Sequence, residues 1–179
     1  MSADGARAQT PVDFAVGAGV FVLTLAFVVA FVPTLFDPFS AAATASPVVS
    51  DRVASGVAGD LLAASPTDPG VLSPACTVAF LTANATLGTQ AGCHPEVAAS
   101  PASHYGIDGD VQVVIHDLDE RTPNRNPSNL SIATRYGVFD VEQSRSTGDP
   151  NDVGRGDVTV SQRLVSLGGT QYRLTVRVW

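Results

Sequence analysis

Histidine and clustered carboxylates are the side chains here best suited to hold a metal or move a proton near neutral pH. The histidines are His94, His104 and His116, and the last opens the run His116-Asp117-Leu118-Asp119-Glu120. That run offers metal ligands, but its spacing matches no zinc pattern. Asp108-Gly109-Asp110 and Asp149-Pro150-Asn151-Asp152 are oxygen-rich segments that suit a hard cation such as calcium. Neither follows the twelve-residue calcium loop, and aspartate, asparagine and glycine favour turns for backbone reasons, so solvated turns are expected. The sequence contains no Gly-x-Ser-x-Gly elbow, phosphate loop or dinucleotide fingerprint. No catalytic residue, metal or cofactor is therefore assigned, and the chain is not read as an enzyme.

The most pronounced feature of composition is local. Phe14 to Phe36 carries no charge and is bracketed by Asp13 and Asp37. As a helix it would extend roughly 34 Å at about 1.5 Å per residue, against a bilayer core of about 30 Å. Signal-peptide cores run to only about 7–15 residues, and a soluble helix this long with no polar face is unusual. The run is read as a single membrane span. Ala15 and Gly19, and Ala26 and Ala30, are small pairs four apart that can let a second helix approach. Pro33 is expected to kink or stop the helix. Arg7 lies on the short flank and the next basic residue is Arg52. That asymmetry places the N-terminus in the cytoplasm and the C-terminal part outside. Ala43-Thr44-Ala45 offers a competing site for ordinary signal peptidase, which would release the outer part. No twin arginine is present.

An outward location gives the cysteines a meaning. Cys76 and Cys93 are the only two. A pair in an exported domain is read as a disulfide. Closing that loop contributes roughly 3 kcal/mol in the chain-entropy model. Asn84-Ala85-Thr86 and Asn129-Leu130-Ser131 are possible N-glycosylation acceptors, whereas Asn126 is excluded by Pro127. All ten basic residues are arginine, fourteen of the seventeen acids are aspartate, and the net charge is −7. Such a surface repels nucleic acid, so no nucleic-acid partner is expected. Absent lysine with abundant aspartate resembles the protein composition of salt-loving archaea.

Arg7-Ala8-Gln9-Thr10-Pro11-Val12-Asp13-Phe14, running into the apolar helix, resembles the signal of archaeal type IV prepilins. The resemblance implies that a prepilin peptidase clips between Ala8 and Gln9 on the cytoplasmic face. Gln9 would then start the mature chain, and Asp13 would be its fifth residue, where many members carry glutamate. It also implies that the helix first sits in membrane lipid and then packs against other pilin-like subunits in a filament core. The remainder resembles haloarchaeal pilin-like membrane proteins, with a C-terminal hairpin ending in Arg-Leu-Thr-Val-Arg-Val-Trp.

These readings divide the chain into a leader (1–8), a transmembrane or filament-core helix (9–36), a linker (37–46) and an extracytoplasmic domain (47–179). The fold class expected is α+β: the membrane helix, a second helix, then a small antiparallel sheet. Ser46-Pro47 provides an N-cap and a first-turn proline. Val49, Val53, Val57 and Leu61, with Leu62 beside them, form one stripe of a helix ending near Ser65, while Gly56 and Gly59 weaken it. A turn or short helix over Cys76 to Leu81 would bring Cys76 toward Cys93. Beyond His104 the period falls to two: Val111, Val113 and Ile115, then Leu130, Ile132, Thr134 and Tyr136, each a half-buried strand. Asp117 to Asn129 and Gly148 to Gly156 read as loops.

The last strands run from Val158 to Leu164 and from Tyr172 to Val178. A two-residue Gly168-Gly169 turn would set Tyr172 against Val165 and Leu174 against Arg163. A three-residue loop, Leu167-Gly168-Gly169, sets Leu164 against Tyr172, Val160 against Val176 and Val158 against Val178. Matching apolar faces favours the three-residue loop, with Gly169 at positive φ and Arg173 and Arg177 on the opposite face. The leading function is a structural or assembly subunit of a type IV pilus-like filament at the cell surface. The alternatives are a single-pass protein whose outer domain binds a partner without filament assembly, and an anchored extracytoplasmic hydrolase.

Overall fold

The computed structural model describes the backbone of residues 9–41, 47–120, 128–151 and 158–179, and within the first helix the side chains of 12–32. Two compact units result, Met1–Ala43 and Thr44–Trp179. The first contains α1, Gln9–Ala41. It runs past Pro33, where a kink or a stop was expected, and extends into the segment read as linker. Val12–Val32 has a mean hydropathy of 2.6 and no buried residue, so it is long and apolar enough to cross a membrane. The signal-peptidase alternative at 43–45 and the Ser46 cap lie outside the described residues.

The second unit is α+β, as expected. Helix α2, Pro47–Gly56, begins on its proline and continues as a π-helical turn, Val57–Leu61. Its stripe of Val53, Ala54, Val57, Ala58, Leu61 and Leu62 is buried. Gly56 is required there by its neighbour, since a Cβ would lie 2.7 Å from the Tyr105 ring. Strand β1 is only Val71–Leu72. Next comes α3, Pro74–Leu81, capped by the Ser73 hydroxyl, which accepts from the Cys76 N–H. Ala75 to Leu81 are all buried. This helix is thus enclosed rather than amphipathic. Helix α4, Ala85–Ala91, is capped by Asn84 and ends on Gly92 in the left-handed region, a conformation that glycine adopts without strain. Helix α5 is Pro101–Tyr105.

Six further strands follow: β2 Val111–Asp117, β3 Asn129–Thr134, β4 Gly137–Glu142, β5 Ser144–Ser146, β6 Thr159–Leu167 and β7 Thr170–Val178. One sheet has the order β1-β6-β7-β2-β5, antiparallel except at β1–β6, and β3–β4 form a separate hairpin. Its inner face carries Val111, Val113, Ile115, Leu174, Val176, Val178, Val165 and Leu167, which join the buried residues of α2 and α3 in one core.

Three expectations are corrected. Strand β2 is not half-buried: Val111 through His116 are buried on both faces. Its second face is closed by polar partners, with Arg177 donating to the Gln112 amide oxygen and Arg173 to the Glu120 carbonyl. Tyr136 belongs to the β3–β4 turn, not to the strand of Leu130 and Ile132. The last hairpin has the two-residue turn, with Val165 opposite Tyr172, Arg163 opposite Leu174 and Leu167 opposite Thr170. Gly168 and Gly169 both have positive φ, at +59° and +86°. Two successive positive values are the type I′ geometry. Polar Ser161 and Arg163 are tolerated on the inner face because both bond Asp51 of α2, at 3.2 and 2.9 Å.

Candidate functional site

Among the described residues, the chemistry-bearing side chains of the second unit do not converge on one cleft. His116 is buried on β2, where its Nε2 lies 2.8 Å from the Thr175 hydroxyl and its Nδ1 3.1 Å from the Asp117 carbonyl. The carbonyl can only accept, so neutral His116 carries its proton on Nδ1 and Nε2 accepts from Thr175. Burial pushes its pKa below the ordinary imidazole value, with Arg173 and Arg177 adding in the same direction. The Asp117 bond and Glu120 act the other way. Asp117 closes β2, and Leu118 to Glu120 form a turn fastened by the Glu120 N–H to the Asp117 carbonyl. The rest of that expected loop lies outside the described residues.

His94 and His104 do meet, edge to face, with ring centroids 5.4 Å apart. The His94 Nδ1 accepts from the Glu96 N–H at 3.1 Å. Its neutral form therefore carries the proton on Nε2 and has no lone pair left for a metal. The oxygen-rich segments are tied to the fold. Asp110 accepts from the Thr147 hydroxyl, and its backbone exchanges bonds with Trp179. Asp149 accepts from both the backbone and the side chain of Asn151, while Asp152 lies outside the described residues. Among the described residues no three of His, Cys, Asp and Glu group as metal ligands.

The disulfide is the centre of a different construction. Cys76 and Cys93 are joined, with Cα atoms 5.6 Å apart, and the bond ties α3 to the end of α4. Two arginines and a tyrosine brace this end of the domain. Arg145 of β5 donates to the carbonyls of Phe80, Val97 and Ala98 and lies over the Phe80 ring. Burial lowers the Arg145 pKa. Arg135, at the tip of the β3–β4 hairpin, donates to the carbonyls of Gln90 and Ala91 at the C-terminus of α4. A cation there also opposes the negative end of the helix dipole. Tyr136 donates its hydroxyl to Gln90 as well. Sequence reasoning missed Arg145 and Arg135: each is an isolated arginine whose targets lie far along the chain.

Both sequon asparagines are exposed. Asn84 uses its Oδ1 to accept from the Leu87 N–H, and Asn129 opens β3 opposite Glu142. Of the processing residues, Gln9 and Asp13 lie on α1, while Arg7 and Ala8 lie outside the described residues. From Val12 to Val32 the helix exposes apolar side chains on every face, Phe14 by 78% and Leu23 by 71%. That stretch and the braced second unit are the two functional candidates. No curated protein and no solved structure matches the chain. A family of unknown function, DUF7287, matches it over residues 5–179, a match that takes in both the apolar helix and the second unit, and the chain belongs to that family.

Proposed function

We propose that the chain is a pilin-like surface protein, processed by a prepilin peptidase and held by α1 in membrane lipid or in a filament core. The observation that carries this reading is the junction Arg7-Ala8-Gln9 standing directly before the apolar helix. Asp13 supplies the carboxylate at the fifth mature position. The small pairs Ala15/Gly19 and Ala26/Ala30 suit close helix packing. A Cβ at Gly17 or Gly19 would meet nothing within 4 Å among the described residues. The outer unit lies on the cell surface, where its disulfide is stable and Asn84 and Asn129 are open to glycan transfer. Its role is assembly or adhesion rather than catalysis, and its acidic, lysine-free surface suits a salt-rich environment and no nucleic acid.

N-terminal sequencing of the membrane-bound protein is the direct test. The mature chain should begin at Gln9, and Arg7→Glu should accumulate a precursor longer by eight residues. Normal processing of that variant, or an intact leader in the wild type, removes the prepilin reading and leaves a single-pass surface protein. Co-purification with filaments then separates a filament subunit from a membrane-resident one.

A further inference from the structure

Strand β6 has an open edge. The Ser166 N–H bonds the Gly70 carbonyl at 2.8 Å, so Ser166 turns its backbone away from β7. By strand alternation, Val160, Gln162 and Leu164 do the same. Strand β1 reaches only Ser166 and Leu167. Three N–H and three C=O groups therefore line an edge with no backbone partner among the described residues. Neither a proline nor an outward charge, the usual guards of such an edge, blocks it. Val160 and Leu164 are 53% and 62% exposed. A groove of about 460 Å³ runs beside it, lined by Ser55, Ala58 and Gly59 of the helix and by Pro69 and Gly70.

We propose that this edge pairs antiparallel with the same edge of a second copy of the chain, centred on Gln162, so that two sheets become one. The sequence of the edge is self-complementary about that point. Gln162 meets Gln162 of the second copy, and Val160 meets Leu164 twice, forming apolar cross-strand pairs on the exposed face. The inner face is complementary in charge. Arg163 meets Ser161 of the second copy, whose hydroxyl holds the second copy's Asp51. Each Arg163, already 2.9 Å from its own Asp51, thus gains a second carboxylate, and the charges alternate in sign around the two-fold axis. Ser161 of the second copy is small enough to enter the groove over Ala58 and Gly59. The Gly70–Ser166 bond ends the pairing at one side. This association belongs to the outer unit and does not depend on the filament reading.

The test is a cysteine at the two-fold centre of the full-length chain in membranes. Opposed hydrogen-bonded residues have Cα atoms about 5.5 Å apart, within disulfide reach. Gln162→Cys should give a species of doubled mass under mild oxidation, while Gln171→Cys, exposed on β7, should not. Adding Val160→Lys and Leu164→Lys to the Gln162→Cys chain places four ammonium groups at the join and should abolish the dimer. Both lysines replace exposed side chains, and recovery of the linked Cys76 and Cys93 peptides confirms the fold. Cross-linking of Gln162→Cys no greater than Gln171→Cys, persistence of the dimer with both lysines, or adducts only with a different polypeptide would each overturn the proposal.

Discussion

Two single residues set measurable properties of the second unit. Arg145 donates to three carbonyls, that of Phe80 on α3 and those of the consecutive residues Val97 and Ala98, at 2.8, 3.2 and 2.7 Å. Hydrogen bonds to a charged group are worth about 1.5–3 kcal/mol, and the carbonyl of buried Val97 would lose its partner, whereas that of Phe80 keeps the Ala83 N–H. Arg145→Ala should therefore lower stability by about 3 kcal/mol, read from the urea midpoint, and Arg145→Lys should recover only part because an ammonium cannot span the fork. A loss within the scatter of surface substitutions would show that solvent replaces the clamp. His116 should contribute to the pH response. Its folded pKa is depressed by burial, so the unfolded chain takes up the proton first as pH falls. Its contribution is complete above the ordinary value of about 6.5 and is lost as pH falls from there through the depressed folded value. Denaturation midpoints should decline across that window, and His116→Gln, which cannot titrate, should flatten the decline while lowering the midpoint at neutral pH. Neither role is legible in the sequence: Ser144-Arg145-Ser146 has no periodicity, and the histidine run points to metal rather than to Thr175.

At the level of elements, strong periodicity is readable and pairing is not. The valine stripe from Val49 to Leu61 and the alternation from Tyr172 to Val178 reveal α2 and β7, because each carries one regular apolar face that joins the core. Strands β4 and β5 escape notice: Val138 is 71% exposed on the first, and the second is three residues without an apolar side chain. The C-terminal register is misjudged because apolar matching alone assigns Ser161 and Arg163 to solvent. Asp51 reverses that choice from 110 and 112 residues away, where no local pattern reports it. The turn itself makes a specific demand. With φ of +59° and +86°, both central positions require the left-handed region. Gly168→Asn should be tolerated, since asparagine visits that region in Asn-Gly turns. Gly169→Val should lower the midpoint well beyond Gln171→Thr, because a branched side chain at positive φ is strained whatever the space around it. Equal effects would mean that the turn relaxes to another type.

At the scale of the whole molecule the question is how firmly α1 holds the chain. The apolar stretch is Val12–Val32, 21 residues. At a rise of about 1.5 Å per residue it covers about 32 Å, enough for the core of a bilayer. Thirteen of its side chains are exposed valine, leucine or phenylalanine. At about −0.3 to −0.6 kcal/mol each for central positions, they supply at most about −4 to −8 kcal/mol. One arginine near the centre costs about 2.5–3.5 kcal/mol on the same scale. Val22→Arg should thus leave the protein in the membrane after alkaline extraction. Val22→Arg combined with Leu25→Arg costs about 5–7 kcal/mol, comparable to the whole favourable sum, and should shift most of the chain into the extract. The conservative pair Val22→Leu and Leu25→Val should change nothing. Release by the single arginine would mean that α1 holds the membrane less firmly than this sum allows. Retention of the double variant would mean that contacts outside this sum help to hold the chain in the membrane.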